Sequence, residues 1–298
     1  MAAHRATPLA AVAALPLAAL LLLLAAALVP RAAAHAVMLE PKSRSWIDYL
    51  ENYNYRPHEV FAGGVRAVSN NGALRWPQRN RQGICGDAAG QTKWDAPGRV
   101  VKTYRAGQAI NVDILFAQNH LGRVNVRVCP LDATDERQCR TLERADGKGA
   151  DFDLPWTPGW WGVTDGYTAP AGGGVEGAQL YKLPAIGKPD GCAAWACDQF
   201  KGMWVYRTLW KLPAGFTCDH CKLQMEYLTG SRCWPPCNQK GGCGKPPVGY
   251  GYCGEEGQQY PEEFWNCADL AVRADAPEAE ASAMPGGGGA ARRLLLGA

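Results

Sequence analysis

The chain has 298 residues, with 31 basic and 28 acidic side chains, a formal net charge of +3, 12 cysteines, 35 glycines and 21 prolines. So small an excess of charge gives no electrostatic footprint for nucleic acid or for an anionic membrane surface, and the length suits one large domain or two small ones. Many turn formers and no long amphipathic helical pattern point to a loop-rich, disulfide-stapled all-β protein.

Residues 1–34 read as a signal peptide. Arg5 stands in the basic start, "LPLAALLLLLAAALV" is the apolar core, Pro30 and Arg31 break the run, and Ala32-Ala33-Ala34 fits the small-x-small cleavage pattern. An apolar run of about twenty residues is also long enough for an uncleaved membrane anchor; the basic start and the alanines favour cleavage. The expectation is a secreted, extracellular chain, with no membrane association once the signal is removed. Cleavage takes away Arg5 and Arg31 and no acid, so +3 becomes +1. It also makes His35 the N-terminus, although histidine occurs only 5 times in the chain.

Residues 42–100, with "SWIDYLENYNY", a glycine pair and "WPQRNRQGICGD", hold no sustained period and read as a long excursion with short helical turns. Three alternating stretches then predict strands. In "AINVDILF", Ile110, Val112, Ile114 and Phe116 share a face; in "GRVNVRVC", Val124, Val126 and Val128 do. In "CKLQMEYL", Leu223, Met225 and Tyr227 alternate with Lys222, Gln224 and Glu226. "MWVYRTLWKLP" and "NCADLAV" are further strands. Short strands between Gly/Pro-rich turns imply an antiparallel sandwich of immunoglobulin or fibronectin type III kind.

Residues 231–259 read as loops pinned by disulfides, and residues 274–298 as a low-complexity tail unable to bury a core. The domain proper is therefore 35–273. All 12 cysteines lie beyond the leader, where disulfides persist, and sequence cannot choose the pairing. "CDHC" with Cys233 and Cys237 has the spacing of a four-cysteine zinc site; in an exported chain bridges are the expectation.

An N-terminal histidine can chelate a metal through its α-amino nitrogen and its own Nδ1. One more imidazole completes a three-nitrogen arrangement, which suits Cu²⁺. His58, His120 and His220 are the candidate partners. His120 sits at the turn joining the two best strands, His220 lies inside "CDHC", and His58 follows Pro57 in the excursion, where mere exposure explains it equally well.

"HAVMLEPKSRSW", "CGD" at Cys85–Asp87, "NHLGRVNVRVC", "CKLQMEYLTGS" and "PEEFWNCADLAV", in that order across residues 35–273, resemble the lytic polysaccharide monooxygenases. The resemblance is to the fifteenth auxiliary-activity family, relatives of the chitin-binding type-4 domains. It implies a copper histidine brace on an exposed face, made by His35 (amine and Nδ1) and His120 (Nε2), with Phe264 at the axial position. It also implies one copper per chain, an external electron donor, hydrogen peroxide or oxygen as co-substrate, and a crystalline chitin or cellulose surface as partner to a monomer. Oxidation at the anomeric carbon is the favoured outcome. Glu262 is an outer-sphere candidate, and Tyr53 and Tyr55 are candidates for stacking on sugar or simply for packing. Phe264 read without the motif is a core residue.

Three positions depart from the pattern. Ala62 and Gln82 stand where the family commonly has cysteines, and Gln118 replaces an alanine beside the second brace histidine. The competing expectation is a non-catalytic polysaccharide-binding or cell-wall matrix protein on the same fold.

Overall fold

The computed structural model describes residues 35–52, 56–154, 174, 175, 177–186, 199–237, 246 and 249–277. All fall in one compact unit, Ala34–Ala298. The leader, Tyr53, Tyr55 and the tail beyond residue 277 lie outside the described residues. No helix among those described is long and apolar enough to cross a membrane.

Two sheets form the sandwich. The first takes β1 (His35–Glu40), β3 (Ala109–Gln118), β10 (Trp204–Lys211), β9 (Ala178–Lys182) and β8 (Gly174–Val175) in that order, with β6 (Glu143–Arg144) also on β10. The second takes β2 (Lys102–Arg105), β12 (Glu263–Arg273), β11 (Cys218–Leu228), β4 (Arg123–Pro130) and β5 (Arg140–Thr141), with β7 (Asp151–Asp153) on β4. The pairs are antiparallel except β2 with β12, which run parallel. Two short helices, α1 (Arg44–Asn52) and α2 (Gly64–Val68), lie in the excursion.

The alternation read from sequence produces the core. Ile110, Val112, Ile114 and Phe116 of β3 meet Val124, Val126 and Val128 of β4 and Leu223, Met225 and Tyr227 of β11 in one buried cluster. Each large apolar side chain removed from water there contributes about 1.5–3 kcal/mol. The polar face of β11 is buried as well, because the excursion covers it. Arg79 reaches in from that segment to pair with Glu226, with Glu263 at 2.8 Å and with Glu136 at 2.7 Å, while Arg127 meets Glu226 at 2.6 Å. Burial opposes ionisation of Glu226, yet the two guanidinium groups hold its carboxyl below the usual range. Lys222 Nζ donates to the Ala133 carbonyl at 2.7 Å, and Gln224 Nε2 to that of Ile84 at 2.6 Å.

Cys85–Cys267 ties the excursion to β12, Cys129–Cys139 and Cys233–Cys253 pin other loops, and Cys218–Cys221 lies within β11 at a register shift. Cys237 is also disulfide-bonded, and no described cysteine is free. The cysteines of the zinc-like spacing are thus committed to bridges.

Candidate metal centre

His35 opens β1 and Gln118 closes β3, and the two are partners across the ladder. Such partners carry their Cβ atoms about 5 Å apart on one face. The chain then turns through Leu121 (φ +55°) and Gly122 (φ +89°). A Cβ at Gly122 would meet the Leu228 carbonyl at 2.0 Å, so only glycine fits there.

This turn fixes His120. Its backbone N–H donates to the Tyr227 hydroxyl at 2.9 Å, that hydroxyl donates to the Leu121 carbonyl at 2.9 Å, and Gly230 N–H donates to the His120 carbonyl at 3.0 Å. Tyr227 and Phe264 are register partners on β11 and β12 and stack with centroids 5.9 Å apart. Phe264 in turn presents its edge to His35 at 6.1 Å. The ends of four strands therefore bring His35, His120 and Phe264 to one end of the sandwich. Phe264 belongs to the buried core, as its reading without the motif has it.

Two carboxylates attend the histidines. Glu262 Oε2 lies 3.6 Å from His120 Nδ1 and accepts from Ser231 Oγ at 3.4 Å. Glu59 Oε1 lies 3.7 Å from His35 Nε2 and 3.9 Å from His58 Nε2. His58, expected as an exposed loop residue on one reading, is instead half-buried, its ring 4.7 Å from that of His35 and 5.1 Å from Phe200. Its backbone carbonyl accepts from Ala36 N–H at 3.2 Å, which draws the 56–60 segment alongside β1.

Burial lowers the imidazolium pKa of His35, with His120 adding to the effect and Glu59 opposing it. Burial, with help from His35 and Arg56, pushes that of His58 down to about 3. Both shifts favour the neutral ring, the state a metal ligand needs.

His220 is elsewhere, with Nε2 2.8 Å from Asp269 Oδ1 near the start of β11. Tyr53 and Tyr55 lie outside the described residues. Two other tyrosines, Tyr250 and Tyr252, are 39% and 40% exposed. They sit on the loop closed by Cys233–Cys253, with the Tyr250 hydroxyl donating to the Ser231 carbonyl at 3.0 Å, next to the Ser231–Glu262 contact. Sequence reasoning passed over them, and over Glu59. The available signals were an acid adjoining a histidine in "PHEV" and two tyrosines spaced i, i+2 in "GYGYC", which share a side of an extended chain.

The donors present suit a copper ion. The imidazole of His35, which opens β1, and that of His120 come to the same end of the sandwich, a nitrogen-rich set of the kind Cu²⁺ favours. Gln118 adds an Oε1 that is buried without a hydrogen-bond partner among the described residues, at the ladder position facing His35. A buried acceptor left so is costly in a finished structure, and a metal-bound amine or water would satisfy it.

A family model described as "lytic polysaccharide mono-oxygenase, cellulose-degrading" matches residues 35–270. No curated protein matches. Among solved structures, an AA15 lytic polysaccharide monooxygenase from Thermobia domestica in the Cu(I) state is 22% identical with a TM-score of 0.47, and 80% of this chain covers all of it. A chitin-binding domain from Burkholderia pseudomallei is 11% identical (TM-score 0.35; 80% of this chain, all of that one). A cellulose-active lytic polysaccharide monooxygenase in complex with copper is 13% identical (TM-score 0.38; 82% of this chain, all of that one). Matched by the family model over most of its length, the chain belongs to the lytic polysaccharide monooxygenases, copper-dependent oxidoreductases.

Proposed function

We propose that the chain is exported, loses residues 1–34, and acts as a monomer on crystalline chitin or cellulose, opening β-1,4 linkages by oxidation at the anomeric carbon. In this reading His35, through its amine and Nδ1, and His120, through Nε2, hold one copper ion. Bound there, copper would supply one-electron redox chemistry with peroxide or oxygen, given an external electron donor.

The protein's own groups do the rest. Glu262 sets a carboxylate 3.6 Å from Nδ1 of His120, a negative charge that favours the ring proton on that nitrogen and so Nε2 as the donor atom. Phe264 closes one side with an apolar ring and keeps water from it. Tyr227 carries no charge here, because burial raises its phenol pKa far above the usual range; it serves to fix the His120 turn. Tyr250 and Tyr252 offer exposed rings beside Ser231 for stacking on sugar.

The observation that carries the reading is the convergence of His35, His120 and Phe264 at one end of the sandwich. His120→Ala tests it. The variant should keep the fold, lose copper affinity by about a hundredfold or more, on the scale of the strongest outer-shell losses, and release no oxidised oligosaccharide. Wild-type affinity in this variant would remove His120 from the site. Tight copper binding by the parent, with chitin and cellulose both left intact, would favour the non-catalytic binding protein.

A further inference from the structure

The opposite edge of the His35 ring carries a second set of donors. Ligand atoms from His35, His58 and Glu59 all lie within 4.8 Å of one another. Both Nε2 atoms point to one oxygen, Glu59 Oε1, at 3.7 and 3.9 Å. These separations are too long for hydrogen bonds. They are close to what a shared ion requires, since two ligands about 2.1 Å from a zinc-type ion stand about 3.4 Å apart at the tetrahedral angle. A contraction of a few tenths of an ångström brings each ring nitrogen to that distance from the carboxylate oxygen.

We propose that His35 Nε2, His58 Nε2 and Glu59 Oε1 form a site for one divalent ion of zinc type that needs no free N-terminal amine. Two imidazoles and a carboxylate are a known zinc ligand combination, with water in the fourth position. The site is held before any ion arrives. The His58 carbonyl is tied to Ala36 N–H, and its ring is wedged between His35 and Phe200. Arg56 engages the other carboxylate oxygen, Glu59 Oε2, at 3.1 Å, which leaves Oε1 facing the rings. His58 Nδ1 is buried with no hydrogen-bond partner among the described residues, so no protein acceptor fixes the ring in a competing role.

This site and the brace compete for one ring. The brace uses the lone pair on His35 Nδ1 and leaves the ring proton on Nε2; the second site uses Nε2 and leaves the proton on Nδ1. While that proton stays on the ring, only one of the two can be filled. A chain whose His35 nitrogen is still in an amide lacks the brace's amine but keeps all three ligands of the second site.

The test uses residues 35–298 with Gly-Ser ahead of His35, titrated with Co²⁺ and followed by visible absorption, then back-titrated with Zn²⁺. One equivalent of Co²⁺ should give a four-coordinate band that one equivalent of Zn²⁺ abolishes. His58→Ala and Glu59→Gln should each weaken Co²⁺ by about tenfold or more, with unchanged circular dichroism, and His120→Ala should leave it unchanged. Absence of a stoichiometric band overturns the proposal. So does an equal loss in His120→Ala, which would put the ion in the remains of the brace. Copper binding by the chain with a free His35 amine is a separate measurement, and its failure would leave this result standing.

Discussion

The two ends of β11 hold histidines in opposite circumstances. Near its start, His220 Nε2 is 2.8 Å from Asp269, and that carboxylate also receives Arg44 Nε and Nη2 at 2.7 Å each and the Gly98 N–H at 3.2 Å. Near its finish, His35, His58 and His120 stand 3.6–3.9 Å from Glu59 and Glu262. The first arrangement is closed, its hydrogen bonds made at full strength within the protein. In the second, those ring nitrogens and carboxylate oxygens stay beyond hydrogen-bond distance of one another. Closed networks hold a fold together; open ones leave donor capacity for a ligand.

The largest effect that would sharpen this contrast is at the closed end. Arg44→Leu leaves Asp269 buried without its guanidinium, and losing one partner of such a pair costs about 3–5 kcal/mol. Denaturant unfolding should register that loss while copper affinity stays at the wild-type level. A copper defect of the same order as in His120→Ala would show that the two ends are coupled and that the division into closed and open is wrong.

A smaller effect lies in acid, measured without metal. The folded His58 ring has its pKa pushed from 6.5 to about 3. Between those two values the unfolded chain takes up a proton that the folded chain refuses, so stability falls as pH drops from about 6.5 towards 3, and the effect vanishes above that range. His58→Ala should make the decline of melting temperature with acid shallower than in the parent, whatever the variant's stability at neutral pH. Equal slopes would mean that His58 is solvated and not part of a buried cluster.

The sandwich was readable because strand alternation is a local property. Each of Val112, Ile114, Val124, Val126, Leu223 and Met225 shows its face by its neighbours, and all six are in the core. His35, His120 and Phe264 were named through motifs that resemble the family's, and the structure brings them to one end of the sandwich. The outer face of β11 was not. Lys222, Gln224 and Glu226 have the look of a solvated face, and only the excursion, with Arg79 at its disposal, makes them interior. Glu59 escaped for the same reason, and His58 stood only as one of three candidate partners. Their segment has no period, and its position depends on one backbone hydrogen bond from Ala36 and on Phe200, a residue far along the chain that no local pattern connects to them.

The measurement that bears most directly on the brace is a comparison of two N-termini: a chain beginning at His35 and the same chain with Gly-Ser in front, each loaded with one equivalent of Cu²⁺. Electron paramagnetic resonance and release of oxidised oligosaccharides from chitin and cellulose are recorded for both. The free amine, with an ordinary pKa of about 7.7–8.0, is displaced of its proton on binding, whereas an amide nitrogen cannot take its place. The chain beginning at His35 should show nitrogen hyperfine structure from three donors and release oxidised products. The extended chain should fold equally well, bind copper more weakly with a different spectrum, and release none. Identical spectra and equal activity in the two chains would contradict the histidine brace.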